Sequence, residues 1–201
     1  MSNIQAVFFD LGGVLLRTEY QAPREHLAER LGMEYEDLDR LVFNSDSARK
    51  ASLGEITEEQ HWAEVAKKLR RPLSETEALR DEFFGGDVLD LNLVAYLRSL
   101  KPRYKTGLIS NAWSGLRAYI VSKKFDDVFH AMTISAEVGV TKPTARIYQL
   151  ALEQAQVQPE AALFVDDFIE NVEGARKLGM SAIHFRDAES TLAKLKTLLK
   201  N

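Results

Sequence analysis

Five short, mostly apolar runs punctuate the chain, at residues 4–9, 105–109, 131–134, 161–165 and 181–185. Each is too short for a typical helix and lacks strict alternation, which suits parallel strands buried on both faces. Between the last four the period changes to that of a helix. Leu116, Tyr119 and Ile120 share one face of 114–124, and Ile147, Leu150 and Ala151 share one face of 145–154. A third helical stretch, 169–178, runs into Gly179, a natural stop. Strands alternating with helices predict an α/β fold built on a doubly wound parallel sheet.

The first gap breaks this rhythm. Roughly 90 residues separate the first two strand patterns, where a crossover needs only about a dozen or more. Helical patterns fill it. Trp62, Val65, Ala66 and Leu69 line one face of 58–69, and Ser74 with Glu77 has the spacing of a capping box ahead of 78–84. Gly85-Gly86 interrupts the pattern, which resumes over 89–100. The simplest organisation is a small all-helical insertion over 17–86, carried on an α/β core made from 1–16 and 87–201. The basic stretch Lys67-Lys68-Leu69-Arg70-Arg71 fits a solvated helix end favoured by the macrodipole.

Composition narrows the chemistry. A chain of 201 residues allows one domain, or one domain with such an insertion. At 45% hydrophobic and 28% charged residues it is not globally disordered. The lack of cysteine excludes disulfides, thiolate nucleophiles and cysteine-ligated zinc or iron–sulfur sites. His26, His61, His130 and His184 are scattered without metal-binding spacing. With 26 basic against 30 acidic residues, net charge −4, nothing points to nucleic acid or an anionic membrane as partner. The N-terminus lacks a signal-peptide pattern, and no apolar run approaches the ~20 residues of a membrane helix. A soluble cytoplasmic protein is expected.

Polar residues of unusual chemistry sit where the strand patterns end. The first strand gives Phe9-Asp10-Leu11-Gly12-Gly13, the second Ile109-Ser110-Asn111, and the fourth Val165-Asp166-Asp167 with Asn171 close behind. Thr141-Lys142-Pro143 follows the third. Taken singly, each has a plain structural explanation as a turn, a helix cap or a solvated loop residue. Together they line one edge, because ligands of open parallel sheets bind beyond the carboxyl ends of the strands. A carboxylate attacking phosphorus forms an aspartyl-phosphate, and its charge demands a divalent cation between it and an anionic substrate. Asp10 and Asp166, with Asp167 or Asn171 behind, offer the hard oxygens that Mg²⁺ prefers. The Ser110 hydroxyl, the amides around Gly12-Gly13 and the Lys142 ammonium would hold the phosphoryl oxygens, with Asn111 beside them.

This arrangement resembles the haloacid dehalogenase-like hydrolase superfamily over nearly the whole chain. Asp10 matches the nucleophile of the first motif, Ser110 the second motif, Lys142 the third and Asp166-Asp167 the fourth. The resemblance implies a Rossmann-like core with strand order 5-4-1-2-3 and a helical cap of the C1 type. It also implies a Mg²⁺ site formed by Asp10, Asp166 and the main-chain carbonyl of Gly12. The wording Asp10-Leu11-Gly12-Gly13-Val14 and Lys142-Pro143-Thr144-Ala145-Arg146-Ile147-Tyr148 is similar to bacterial sugar-phosphate phosphatases of the glucose-1-phosphatase type. It is similar also to the N-terminal phosphatase domain of soluble epoxide hydrolases.

Gly12 departs from the pattern. Most phosphatases of the superfamily carry at this position an aspartate that acts as general acid and base. Loss of such help typically removes ~10²–10⁴ in rate. His61 is a candidate replacement. A Mg²⁺-dependent phosphatase of a small phosphorylated metabolite is the leading expectation, with a sugar phosphate as one candidate substrate. A 2-haloacid dehalogenase needs no acid but also no metal, and the pair Asp166-Asp167 argues against it. A catalytically weak, phospho-ligand-binding regulatory protein is the third reading, supported by Gly12 alone. A phosphomutase would need the missing acid. Substrate and oligomeric state stay open.

Overall fold

The computed structural model describes residues 4–199. The chain enters through β1 (Ala6–Phe9), whose four residues are all buried, and soon forms the short β2 (Leu16–Thr18). Five helices follow: α1 (Ala22–Leu31), α2 (Tyr35–Phe43), α3 (Asp46–Ser52), α4 (Glu58–Lys68) and α5 (Thr76–Phe83). The chain returns through β3 (Asp87–Leu89), which pairs antiparallel with β2. The two-stranded neck so formed was not legible in the sequence, since three-residue strands leave no periodic signal.

From there strands and helices alternate. They are α6 (Leu91–Leu100), β4 (Lys105–Ser110), α7 (Leu116–Ser122), β5 (Ala131–Ile134), the single turn α8 (Ser135–Val138) and α9 (Ala145–Ala155). β6 (Ala162–Asp166), α10 (Ile169–Lys177), β7 (Ser181–His184) and α11 (Ala188–Leu199) complete the described chain. The main sheet is parallel throughout, in the order β5-β4-β1-β6-β7. Numbering only its five strands along the chain gives 5-4-1-2-3, a doubly wound order with β1 at the centre.

Alternation along β1 explains the two cores. Val7 and Phe9 pack on one face with Leu93, Leu97, Ile120 and Leu195. Ala6 and Phe8 pack on the other with Ile147, Tyr148, Ala151 and Ala175. A third core lies within the five-helix insertion, around Leu27, Leu38, Val42, Trp62, Val65 and Phe83. Trp113, from the loop after β4, packs against it and so joins insertion to core.

Local chemistry sets the helix ends. Thr57 and Gln60 form a reciprocal capping box on α4. The box expected from Ser74 and Glu77 does not form. A 3₁₀ turn over Leu73–Glu75 follows Pro72 instead, and α5 begins at Thr76 without a side-chain cap. α6 begins two residues later than its pattern suggests, because Asp90 accepts from the amides of Asn92 and Leu93. Ser114 does not start α7. Its hydroxyl accepts from the Glu58 amide in the insertion, and α7 starts at Leu116.

Candidate active site

The register of the parallel sheet brings the strand-end residues together. Phe9 lies beside Leu108 of β4 and Val165 of β6, so Asp10 comes next to Asp166. The Asp10 amide donates to the Val165 carbonyl at 2.9 Å, which carries the pairing to the sheet edge. Lys142, on the loop between α8 and α9, closes the group. Its Nζ stands 2.8 Å from Asp10 Oδ2 and 2.6 Å from Asp166 Oδ2. All three are buried, Asp10 at 6%, Lys142 at 4% and Asp166 at 0% exposure. The ammonium also stands over the Phe164 ring, 5.4 Å from its centre.

Each of these groups is held by a second. Asn111 spans the Lys142 main chain with both ends of its amide. Its Oδ1 accepts from Lys142 N at 2.8 Å, and its Nδ2 donates to Lys142 O at 3.1 Å. Asn171 Nδ2 donates to both oxygens of Asp166, and the Phe168 amide donates to Oδ1. Tyr148 donates to the Asn171 carbonyl at 2.8 Å, and His184 Nε2 meets the Asp167 carbonyl at 2.8 Å. The sequence reading missed Tyr148 and His184. Tyr148 binds a main-chain oxygen in the first turn of α10 and His184 one in the loop before it, and a contact to a carbonyl leaves no residue-type signature.

The first loop differs from expectation in one respect. The Gly13 amide is engaged with the Leu16 carbonyl at 2.9 Å, so it is not offered to a phosphoryl oxygen. Gly13 matters for space instead. Its φ is +74°, and a Cβ there would run into the Asp167 carboxylate. The Leu11 amide is likewise spent, on Asp10 Oδ1 at 2.7 Å. Asn111 is also occupied, since its side chain holds Lys142. The Ser110 hydroxyl lies against the Asp10 carboxylate.

The electrostatics show an excess of negative charge. Burial pushes Asp10 up to about 6; the Lys142 cation opposes this and Asp166 adds to it. Burial, with Asp166 alongside, pushes Asp167 up to about 6 as well. One lysine thus faces three carboxylates. Asp10, Asp166 and Asp167 each offer an oxygen within 4.8 Å of the others, and Asp167 Oδ1 is buried without a hydrogen-bond partner. Close, hard, under-compensated oxygens with one orphaned acceptor are the donor set of a divalent cation site, so the residues present fit a cation. Gly12 is exposed beside this cluster and has no side chain to donate a proton.

His61 is not on the surface of the insertion. It is fully buried among aromatic rings, 4.4 Å from Trp113 and 5.9 Å from Trp62 between ring centres, with Nδ1 2.9 Å from Ser47 Oγ. Burial pushes its pKa down to about 4, so the ring is neutral and a poor proton donor near pH 7.

The chain belongs to the haloacid dehalogenase-like hydrolase family, whose model matches residues 4–179. The strand order, the buried aspartate after the central strand and the lysine–aspartate cluster beside it accord with the family match. The chain is similar to the sesquiterpene phosphatase astK of Aspergillus oryzae, 25% identical over 98% of this chain and 98% of that protein. It is similar also to a glyceraldehyde 3-phosphate phosphatase of Methanothermobacter thermautotrophicus, 31% identical over 88% of this chain and 72% of that one. A family enzyme from Bacteroides thetaiotaomicron, solved in complex with magnesium and inorganic phosphate, shares the fold with a TM-score of 0.78. That structure is 20% identical and covers 94% of this chain and 98% of its own.

Proposed function

We propose that the chain is a Mg²⁺-dependent phosphatase that hydrolyses a small phosphorylated metabolite through an aspartyl-phosphate on Asp10. The observation that carries this reading is the buried triangle of Asp10, Lys142 and Asp166 at the carboxyl edge of the central strands. The phosphatases among its relatives support it.

In this reading an Asp10 carboxylate oxygen attacks phosphorus, the bond to the ester oxygen breaks, and its electron pair leaves with that oxygen. Water then attacks the phosphorus of the aspartyl-phosphate. The bond to Asp10 breaks, orthophosphate departs and the carboxylate is restored. The departing oxygen takes its proton from solvent, since Gly12 offers none. Lys142 neutralises charge on Asp10 and on the transferring group, and Ser110 donates to a phosphoryl oxygen. Asn111 fixes Lys142, and Asn171 fixes Asp166. Asp10, Asp166 and the Gly12 carbonyl would hold Mg²⁺, with Asp167 beside them. When bound, that ion supplies the positive charge that lets a carboxylate meet an anionic ester.

The test is release of phosphate from an aryl phosphate with Mg²⁺ and with excess chelator. Activity should require the ion and should vanish in Asp10→Asn and Asp166→Ala. Chelator-resistant release of halide from a 2-haloacid, without phosphatase activity, would replace this reading with a dehalogenase.

A further inference from the structure

The segment after β6 owes little to apolar packing. Between Asp167 and Asn171, Phe168 is 60% exposed, Ile169 38%, and Glu170 is exposed as well. Its contribution to the site is polar. Asn171 Nδ2 donates to Asp166 Oδ1 at 3.0 Å and to Oδ2 at 3.2 Å, and the Phe168 amide donates to Oδ1 at 2.8 Å. With Lys142 Nζ on Oδ2, these contacts fix how the Asp166 carboxylate is turned. The position of Asn171 therefore sets the aim of Asp166.

Asn171 is held in turn from α9. The Tyr148 hydroxyl donates to the Asn171 carbonyl at 2.8 Å. That carbonyl lies in the first turn of α10, where the helix supplies an amide donor four residues on, so the helix does not need the phenol to satisfy it. The core does not need it either. A phenylalanine would fill the same space against Phe164, whose ring centre is 5.6 Å away, without burying a hydroxyl. Burial, with Asp166 and Asp10 alongside, pushes the pKa of Tyr148 up, so the group stays a protonated donor. The two helices also approach closely. A Cβ on Gly174 of α10 would stand 2.9 Å from the Pro143 carbonyl oxygen and 3.1 Å from the Tyr148 hydroxyl. Pro143 follows Lys142, so one contact region ties the loop that carries the lysine to the helix that carries Asn171.

We propose that Tyr148 is a positioning residue for the cation site: through Asn171 its hydroxyl holds the Asp166 carboxylate in the orientation that takes a divalent cation, and Gly174 permits the approach. This rests on the reading of Asp10 and Asp166 as cation ligands given above. Outer partners of a metal ligand are worth roughly 10–100-fold in metal affinity. Tyr148 stands one hydrogen bond further out than Asn171, so the lower end applies.

The test is calorimetric titration of the full chain with Mg²⁺ alone, in wild type, Tyr148→Phe, Gly174→Ala and Tyr104→Phe. Tyr104 is the matched control. Its hydroxyl also donates to a main-chain carbonyl, that of Leu199, but it precedes the amino end of β4, at the opposite edge of the sheet from the site. Tyr148→Phe should weaken Mg²⁺ binding about tenfold, and Gly174→Ala should weaken it likewise by parting the helices. Tyr104→Phe should bind as the wild type does. In aryl phosphate hydrolysis the Tyr148→Phe defect should appear as a higher Mg²⁺ requirement, with kcat recovered at saturating ion. Lost stability alone would not move that requirement. Melts of the ion-free proteins identify a variant that fails to fold, and the other then decides. Wild-type affinity in folded Tyr148→Phe, or an equal loss in Tyr104→Phe, overturns the assignment and leaves the phosphatase reading standing. A wild type that binds no Mg²⁺ overturns both, and one that binds it but releases no phosphate overturns the phosphatase reading alone.

Discussion

Gly12 is the residue whose absence of a side chain says most about turnover. Its φ is not in the left-handed region, and a Cβ built on it meets no atom within 4 Å. Gly12→Asp should therefore fold normally. It should raise turnover most for esters whose leaving groups are strong bases, by up to ~10²-fold if the new carboxylate serves as general acid. A series of phosphate esters graded in leaving-group pKa, run on wild type and variant, checks this. A steep wild-type dependence should become shallow. Lys142 carries the opposite prediction. Lys142→Ala removes the cation that bridges two buried carboxylates. It should lower turnover on the order of 10²-fold or more and destabilise the fold by ~3–5 kcal/mol, the usual result of breaking a buried pair. Steady-state kinetics and denaturant melts measure the two effects.

The insertion is organised by its polar contacts as much as by its apolar core. The Arg24 guanidinium is buried over the Phe83 ring, 4.3 Å from its centre, and binds the Phe83 carbonyl and Asp87 of the neck. Thr18 donates to the same Asp87, so α1 and both neck strands meet at one carboxylate, and Arg24 ties α5 to them. On helix α4, His61 gives this element a pH dependence of its own. Its pKa is about 4 in the fold against an ordinary value of 6.5. Between these values the unfolded chain binds the extra proton and the folded chain does not, so stability falls as pH falls through that window. His61→Leu should lose less stability than wild type between pH 7 and 4.5. Parallel melting curves across that range would show that the ring is not protected.

At the scale of the whole molecule, the sheet edge concentrates negative charge that the protein alone does not balance. Asp10 and Asp167 are both raised to about 6, with burial as the first cause. An ion bound only by the folded state stabilises it by mass action, ~2.7 kcal/mol at a concentration a hundred times its Kd. Mg²⁺ should therefore raise the Tm of the wild type by several degrees, and chelator should reverse the shift. Asp166→Ala should show no such response. Equal shifts in both proteins would place the ion elsewhere.

The sequence determined the layered α/β core and the polar edge of its sheet. Buried strands in a parallel sheet must be apolar nearly throughout, so their ends are abrupt, and Asp10, Ser110 and Asp166 stand at those ends. Helix periodicity exposed α4, α9 and α10 for the same reason: each buries one stripe. The final helix, α11, passed without notice although it buries Thr191, Leu195 and Leu199. Tertiary structure alone decided which polar groups share a partner. The Asn111 amide and the Gly13 N–H look available in the sequence, yet one is spent on Lys142 and the other on Leu16. Tyr148 and His184 depend on contacts between segments distant in the chain. Apolar burial repeats with the period of the element and so is written locally. A hydrogen bond is short and directional, and its partner is chosen only when the packed elements bring two polar atoms to about 3 Å.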